Sequence, residues 1–363
     1  MNNMNKHYSG DKLLKYKAIY NMIIGQRANG KTYWWCDKSL RRYIKQDKAS
    51  AYIRRYDTAI KAENVSELYS PHDIEKLTKG EYNSTEYKKH AFTLVYRDED
   101  GMIIKRDEKP FCFTYALNTW ENAKGADRGD IDWIVFDEFM TRGRYLANEF
   151  IIFQNVLSSI LRDRAEATIF MIANTVNKYC PYFADMGLTR VSEMKPGDID
   201  LYTFGESGLS IAVEMCPTSE STREVSKYYA FDNPQLAMIT NGSWEIASYP
   251  HLAMSITKED ISFKFYIFFD KEIICGDVIS SGDYLFIHYH KHTGRHTPDN
   301  NDIIYVPVHD GCVLHSVSLS ECRTKAHRVI SDLISSQREF YSDNTVGEIV
   351  RNWKVNQLRI GVA

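Results

Sequence analysis

Gly25-Gln26-Arg27-Ala28-Asn29-Gly30-Lys31-Thr32 reads G-x-x-x-x-G-K-T and follows a largely apolar run from Ile19 to Ile24. A strand that feeds a glycine-bounded turn and then a helix, here starting near Tyr33-Trp34-Trp35, is the local signature of a phosphate-binding loop in an α/β fold. Each part has a chemical reason. The two glycines let backbone N–H groups turn inward on phosphate oxygens, Lys31 reaches the β and γ phosphates, and the Thr32 hydroxyl ligates magnesium. Residues Gly25, Gln26, Arg27, Ala28, Asn29, Gly30, Lys31 and Thr32 are therefore the expected cradle of a nucleoside triphosphate.

A second stretch strengthens the first. Ile131-Asp132-Trp133-Ile134-Val135-Phe136-Asp137-Glu138 is an apolar strand that ends in two adjacent carboxylates, the pattern of a Walker B strand. Ligands collect at the carboxyl edge of a parallel sheet, so Asp137 is expected to face the magnesium ion beside Thr32, and Glu138 to polarise an attacking water. A glutamate directly after the metal aspartate argues for hydrolysis over storage.

Working outward, strands and helices alternate from Tyr16 to about Thr175. Strands are expected at Ala18 to Ile24, Ala51 to Arg55, Phe111 to Ala116, Ile131 to Phe136 and Thr168 to Ala173, with a helix from Lys31 to about Gln46. Ala91 to Arg106 reads as an inserted hairpin that turns at Asp98-Glu99-Asp100-Gly101. Asn174 ends the last of these strands, where a polar residue can sense the γ phosphate. From Val176 to about Pro234 glycines and prolines punctuate the pattern, which predicts a lid or linker. Ile261 to Phe269, Glu272 to Ile279 and Asp283 to His290 then predict an antiparallel meander, followed by a strand near Ile303 to Val308 and a helix from Ser320 to Phe340. The expected division is 1–175, 176–234 and 235–363.

At 363 residues the chain exceeds the size at which one core usually stops growing. Its 44% hydrophobic and 13% aromatic content excludes disorder as the main state. The net charge of −3, from 45 basic and 48 acidic residues, gives no global basic field, so any nucleic acid must be held by a local patch. Seven scattered cysteines without C-x-x-C spacing suit a reducing cytoplasm. The polar N-terminus lacks the apolar core of a signal peptide, and no apolar run reaches the length of a membrane helix, so a soluble protein without a membrane partner is expected.

The combination resembles the genome-packaging ATPases of tailed bacteriophages, those of the phi29 type above all. Beyond the two Walker motifs, the likeness rests on Tyr52-Ile53-Arg54-Arg55-Tyr56 after the P-loop helix, on Asp137-Glu138-Phe139, and on Ala173-Asn174-Thr175 with Pro181-Tyr182-Phe183. It covers the first half well and the rest weakly. It implies an ASCE P-loop sheet, ATP with Mg2+, and a homo-oligomeric ring, a pentamer, at the portal of a procapsid in the host cytoplasm, driving double-stranded DNA inward. It also implies a C-terminal RNase H-like domain, a vestigial nuclease that serves attachment, including to a structural RNA. The alternatives are another P-loop translocase or helicase, or a terminase with a working nuclease.

Such rings take a trans-acting arginine from a neighbour. Two places satisfy that demand: Arg162 or Arg164, ahead of the sensor strand, and Arg128, ahead of the acidic pair. The first is favoured. Lys48, Arg54, Arg55, Lys61 and Lys124 are candidate phosphate contacts for DNA, and Arg54 and Arg55 are also candidates for coupling their strand to Glu138. A nuclease of this fold needs clustered carboxylates. Asp270 ends the first C-terminal strand, and Asp277, Asp283 and Asp310 are its candidate companions, but each also reads as a turn residue, so loss of that activity is expected. The run His288-Tyr289-His290-Lys291-His292-Thr293-Gly294-Arg295-His296 carries four histidines. It reads as a solvated, phosphate-contacting strand end, since neither cysteine nor carboxylate completes a tetrahedral metal set.

Overall fold

The computed structural model describes residues 8–123, 130–162, 166–217, 244, 246–299, 301–306, 317, 319 and 324–357. Two units emerge, Met1–Glu245 and Ile246–Ala363.

The first unit is built on a ten-stranded mixed sheet. Its strands in chain order are β1 (Tyr20–Gly25), β2 (Ala49–Arg54), β3 (Ser84–Lys88), β4 (Ala91–Arg97), β5 (Ile103–Arg106), β6 (Cys112–Ala116), β7 (Ile131–Asp137), β8 (Thr168–Asn174), β9 (Ile199–Phe204) and β10 (Leu209–Met215). They lie in the order β3-β4-β6-β2-β7-β8-β1-β10-β9, with β5 paired to β4. From β6 to β10 every pairing is parallel. Strands covered on both faces read as near-continuous apolar runs. That is why β1, β7 and β8 were legible as strands.

The period of two divides each strand between two cores. Met22, Ile24, Ile53, Ile134, Phe136 and Met171 join one, with Phe153, Val156, Leu157 and Ile160 of the helix Glu149–Leu161. Ile23, Tyr52, Trp133, Val135, Phe170 and Ile172 join the other, with Trp34, Trp35 and Leu40 of the helix Lys31–Gln46. Because β7, β8 and β1 are parallel neighbours, their carboxyl ends share an edge: Gly25 pairs with Asn174, and Asp137 with Ile172.

The stretch expected as a lid or linker differs. Within 176–217, β9 and β10 extend the sheet, β10 running parallel to β1 and β9 antiparallel to β10. Ile211 to Met215 are buried against the edge that β1 would otherwise leave unpaired, while Gly205 and Gly208, read as loop punctuation, form the turn between the two strands. The remainder of that stretch, 218–234, lies outside the described residues.

The second unit holds a five-stranded sheet of β11 (Ile261–Phe269), β12 (Glu272–Ser281), β13 (Tyr284–Lys291), β14 (Ile304–Tyr305) and β15 (Glu339–Tyr341), in the order β14-β11-β12-β13-β15. The expected meander is present as β11, β12 and β13. β14 runs parallel to β11, and β15 parallel to β13. The single helix expected from Ser320 to Phe340 is instead a helix Lys325–Ser335 followed by β15. Gln337, at φ +57°, ends the helical path and turns the chain into the strand. A helix Asn344–Gln357 then buries Val346, Ile349, Val350 and Trp353. Among the described residues no helix is long and apolar enough to cross a membrane.

Candidate nucleotide site

The shared edge of β1, β7 and β8 opens on a cavity of 420 Å³ lined by residues 27–32, Tyr33, Asp137, Glu138 and Asn174. Gly30, at φ +90°, makes the turn into the helix in a backbone region closed to most side chains. A Cβ at Gly25 would lie 2.6 Å from Cys216 Cβ, so this position has no room for a side chain.

Lys31 is buried, and its ammonium folds over the loop. It donates to the carbonyl oxygens of Gly25 and Gln26 at 3.2 and 2.6 Å, and to the side-chain oxygens of Asn29 and Asn174 at 3.1 and 3.2 Å. All four acceptors are neutral, and burial pushes the lysine pKa down to about 8. A buried cation ringed by uncharged oxygens beside an open cavity fits an anionic guest.

Thr32 Oγ1 donates to Asp137 Oδ2 and Oδ1 at 3.1 and 3.3 Å. Burial raises the Asp137 pKa, while the Arg54 charge and the Tyr52 hydrogen bond oppose that rise. A hydroxyl and a carboxylate side by side are the hard oxygen donors that suit magnesium. Glu138 follows in the left-handed region at φ +58°, its side chain 58% exposed.

Two consecutive arginines, Arg54 at the end of β2 and Arg55 just past it, serve different partners. Arg54 Nη2 donates to Glu138 Oε2 at 2.5 Å and Nη1 to the Tyr52 hydroxyl at 3.1 Å, and that hydroxyl donates to Asp137 Oδ2 at 2.8 Å. Arg55 is buried. It donates to both carboxylate oxygens of Glu149 at 2.8 and 3.0 Å, and to the carbonyl oxygens of Glu138 and Phe139 at 3.1 and 2.5 Å. The Tyr182 hydroxyl donates to Glu149 Oε1 at 2.9 Å. Arg55 thus pins the backbone just past the acidic pair and is too buried to grip DNA, a correction to its listing among candidate phosphate contacts. Lys48 pairs with Asp132 at 2.9 Å.

Of the candidate trans arginines, Arg162 follows the helix Glu149–Leu161 with φ +47°. Arg128 and Arg164 lie outside the described residues, as does Lys124. Among the aromatics near the loop, Tyr20 and Trp34 are core. Tyr33 lines the cavity and stacks on His72 at 4.3 Å between ring centroids. The roles of Tyr52, Glu149 and Tyr182 went unread. For Tyr52 a signal existed, since residues two apart on a strand share a face and Tyr52 lies on that of Arg54.

Comparison with known proteins shows the family and the fold. The family described as Podovirus DNA encapsidation protein (Gp16) matches residues 2–197. The DNA packaging proteins of Bacillus phage phi29 and Bacillus phage PZA are each 26% identical over 179 residues, 48% of this chain and 48% of theirs. The match thus spans about half the length of those relatives. Among solved structures, the bacteriophage Phi-29 viral genome packaging motor assembly shares the fold at a TM-score of 0.55, with 17% identity over 97% of this chain and 99% of that one. The Phi-28 gp11 DNA packaging motor does so at 0.51, with 15% identity over 99% and 100%.

Proposed function

This chain belongs to the Podovirus DNA encapsidation protein (Gp16) family, and on that premise we propose that it is an ATPase motor that drives double-stranded viral DNA into a preformed procapsid. It works as a homo-oligomeric ring, a pentamer, at the portal in the host cytoplasm. One observation carries the reading: Lys31, the Thr32–Asp137 pair and Glu138 converge on a single cavity at the sheet edge.

In this reading Lys31 exchanges its neutral acceptors for the β and γ phosphate oxygens of ATP, and the loop N–H groups hold the rest of the polyphosphate. Thr32 and Asp137 would hold Mg2+, which when bound supplies positive charge against the phosphate oxygens. Glu138 orients and deprotonates the attacking water, and Asn174 reports on the γ position. Arg54 is a positioning residue that sets where the Glu138 carboxylate sits. Arg162 or Arg164, with Arg128 as the second choice, supplies the cation in trans from the next subunit.

The second unit serves attachment to the portal or to a structural RNA. Its antiparallel triplet, with a parallel strand beside the first member, supports an RNase H-like origin. Asp277 is not the turn residue that its sequence context suggested, since it sits mid-strand in β12. Among the described residues no three carboxylates gather as a two-metal nuclease requires, and Asp310 lies outside those residues.

Phosphate release from Mg-ATP with long duplex DNA tests the reading. Glu138→Gln should cut turnover by about 10²- to 10⁴-fold, the usual worth of a general base, while leaving nucleotide binding intact. Lys31→Ala should remove binding and, with purified procapsids, packaging. Wild-type protein that neither consumes ATP nor binds duplex would overturn it.

A further inference from the structure

Strands β12 and β13 join on one sheet face what the sequence keeps apart. Cys275 is in register with His290, and Asp277 with His288. The two-residue period of a strand sends all four side chains to the same side. Cys275 Sγ lies 3.4 Å from Asp277 Oδ1, and His290 Nε2 lies 3.2 Å from Asp277 Oδ2. One ligand atom from each of these three residues falls within 4.8 Å of the other two. Cys275 and Asp277 are buried, and the His290 side chain is 32% exposed. The expectation that no cysteine or carboxylate joins the histidine run is corrected here, because both arrive from the adjacent strand.

The donor and acceptor inventory of this cluster leaves two contacts to Asp277 that either protons or a metal ion must satisfy. His290 Nδ1 lies 2.9 Å from the Lys291 carbonyl oxygen, which only accepts, so Nδ1 carries a proton. Nε2 then faces a carboxylate oxygen, also an acceptor, and that contact needs either a second proton or a metal ion between the two atoms. The Cys275 contact to the other carboxylate oxygen obeys the same logic. One divalent cation replaces both protons. The bond from Nδ1–H to a backbone carbonyl is also the outer-shell contact that orients a ligating histidine and leaves Nε2 for the metal.

We propose that Cys275, Asp277 and His290 form a binding site for a zinc-class divalent ion that clamps β12 to β13. Metal–ligand distances of about 2.0–2.3 Å place tetrahedral neighbours roughly 3.3–3.8 Å apart, the scale of the contacts that Cys275 and His290 make with the two separate oxygens of Asp277. Thiolate and imidazole select zinc-class ions over magnesium, which distinguishes this site from the Thr32–Asp137 pair. Its single carboxylate also separates it from a two-metal nuclease centre. His288, in register with Asp277 and with its ring centroid 6.0 Å from that of His290, offers a further donor on the same face. Lys264 Nζ, 3.1 Å from Asp277 Oδ1, sits on a side chain 47% exposed and turns to solvent when the metal takes up the carboxylate charge.

The test is a cobalt(II) titration of the full chain after dialysis against a chelator, with cobalt standing in for zinc. A thiolate-to-cobalt absorption band should grow to one equivalent and vanish on addition of zinc. Cys275→Ser should abolish that band. His290→Gln should weaken cobalt binding by at least the roughly 10- to 100-fold that loss of a mere outer-shell partner costs. Circular dichroism monitors folding, and if Cys275→Ser fails to fold, the partly exposed His290→Gln decides. The proposal is overturned if wild type gives no thiolate band at saturating cobalt, if the band persists in folded Cys275→Ser, or if His290→Gln binds cobalt as wild type does.

Discussion

Arg54 Nη2 meets Glu138 Oε2 at 2.5 Å while its other terminal nitrogen meets the Tyr52 hydroxyl. One guanidinium therefore touches the carboxylate at the cavity directly, and through Tyr52 it reaches Asp137, the carboxylate paired with Thr32. Removing it frees the Glu138 side chain and takes away the cation that offsets the effect of burial on Asp137. Arg54→Ala should lower DNA-stimulated hydrolysis by at least about tenfold, and Arg54→Lys should recover only part, because an ammonium lacks the two-pronged fork. Turnover equal to wild type would remove Arg54 from the mechanism.

Lys31 links the site to pH-dependent stability. Its folded pKa, about 8, lies below the ordinary 10.5, so below pH 8 both states carry the proton and the cost of burying the charge is fully present. Between pH 8 and 10.5 the folded state releases the proton and the unfolded chain keeps it, so stability rises with pH across that window. Urea unfolding of nucleotide-free protein should show wild type gaining on Lys31→Met by about 3 kcal/mol over that range, at 1.36 kcal/mol per pKa unit. Parallel curves for the two proteins would contradict it. Saturating Mg-ATP should flatten the wild-type gain, since a bound polyphosphate stabilises the ammonium.

The Arg55–Glu149 pair is structural, and its removal should be read in stability before activity. Both side chains are buried, and the carboxylate also accepts from Tyr182 and from the Leu146 backbone N–H. Deleting one partner strands the other charge, so Arg55→Ala or Glu149→Ala should each cost about 3–5 kcal/mol. The double substitution Arg55→Ala with Glu149→Ala should cost less than the sum of the two single losses in a denaturant titration. Additive losses would show that the two side chains act independently.

These networks explain which parts of the molecule the sequence discloses. The P-loop and the acidic pair are local, each written in about eight consecutive residues, and the parallel strands around them carry unbroken apolar runs. Tyr52 and Asp137 are 85 positions apart, Arg55 and Glu149 94, so their pairing depends on strand order, which local pattern does not encode. β9 and β10 were misread because Gly205 and Gly208 dominate the local signal, whereas joining the sheet depends on the open edge of β1. The C-terminal strands were legible as three consecutive runs separated by short turns. Their register was not, and register is what sets Cys275 and Asp277 opposite His290 and His288.

A ring with shared sites makes a prediction that no single subunit can satisfy. Where the P-loop and its finger belong to different subunits, Lys31→Ala has a dead cradle but an intact finger, and the Arg162→Ala/Arg164→Ala double variant has the reverse. Each alone should be inactive. In rings assembled from an equal mixture, a competent site needs a double-variant cradle followed by a Lys31→Ala neighbour. Random order in a head-to-tail ring gives that arrangement at about a quarter of the interfaces. Phosphate release should therefore reappear on mixing, up to about a quarter of the wild-type rate where sites fire independently, the finger being worth about 10³- to 10⁵-fold in rate. A double variant that keeps wild-type turnover by itself would move the finger role to Arg128, and the same mixing experiment with Arg128→Ala in its place would then show the recovery, whereas a mixture of two inactive variants that stays silent would refute a site shared between subunits.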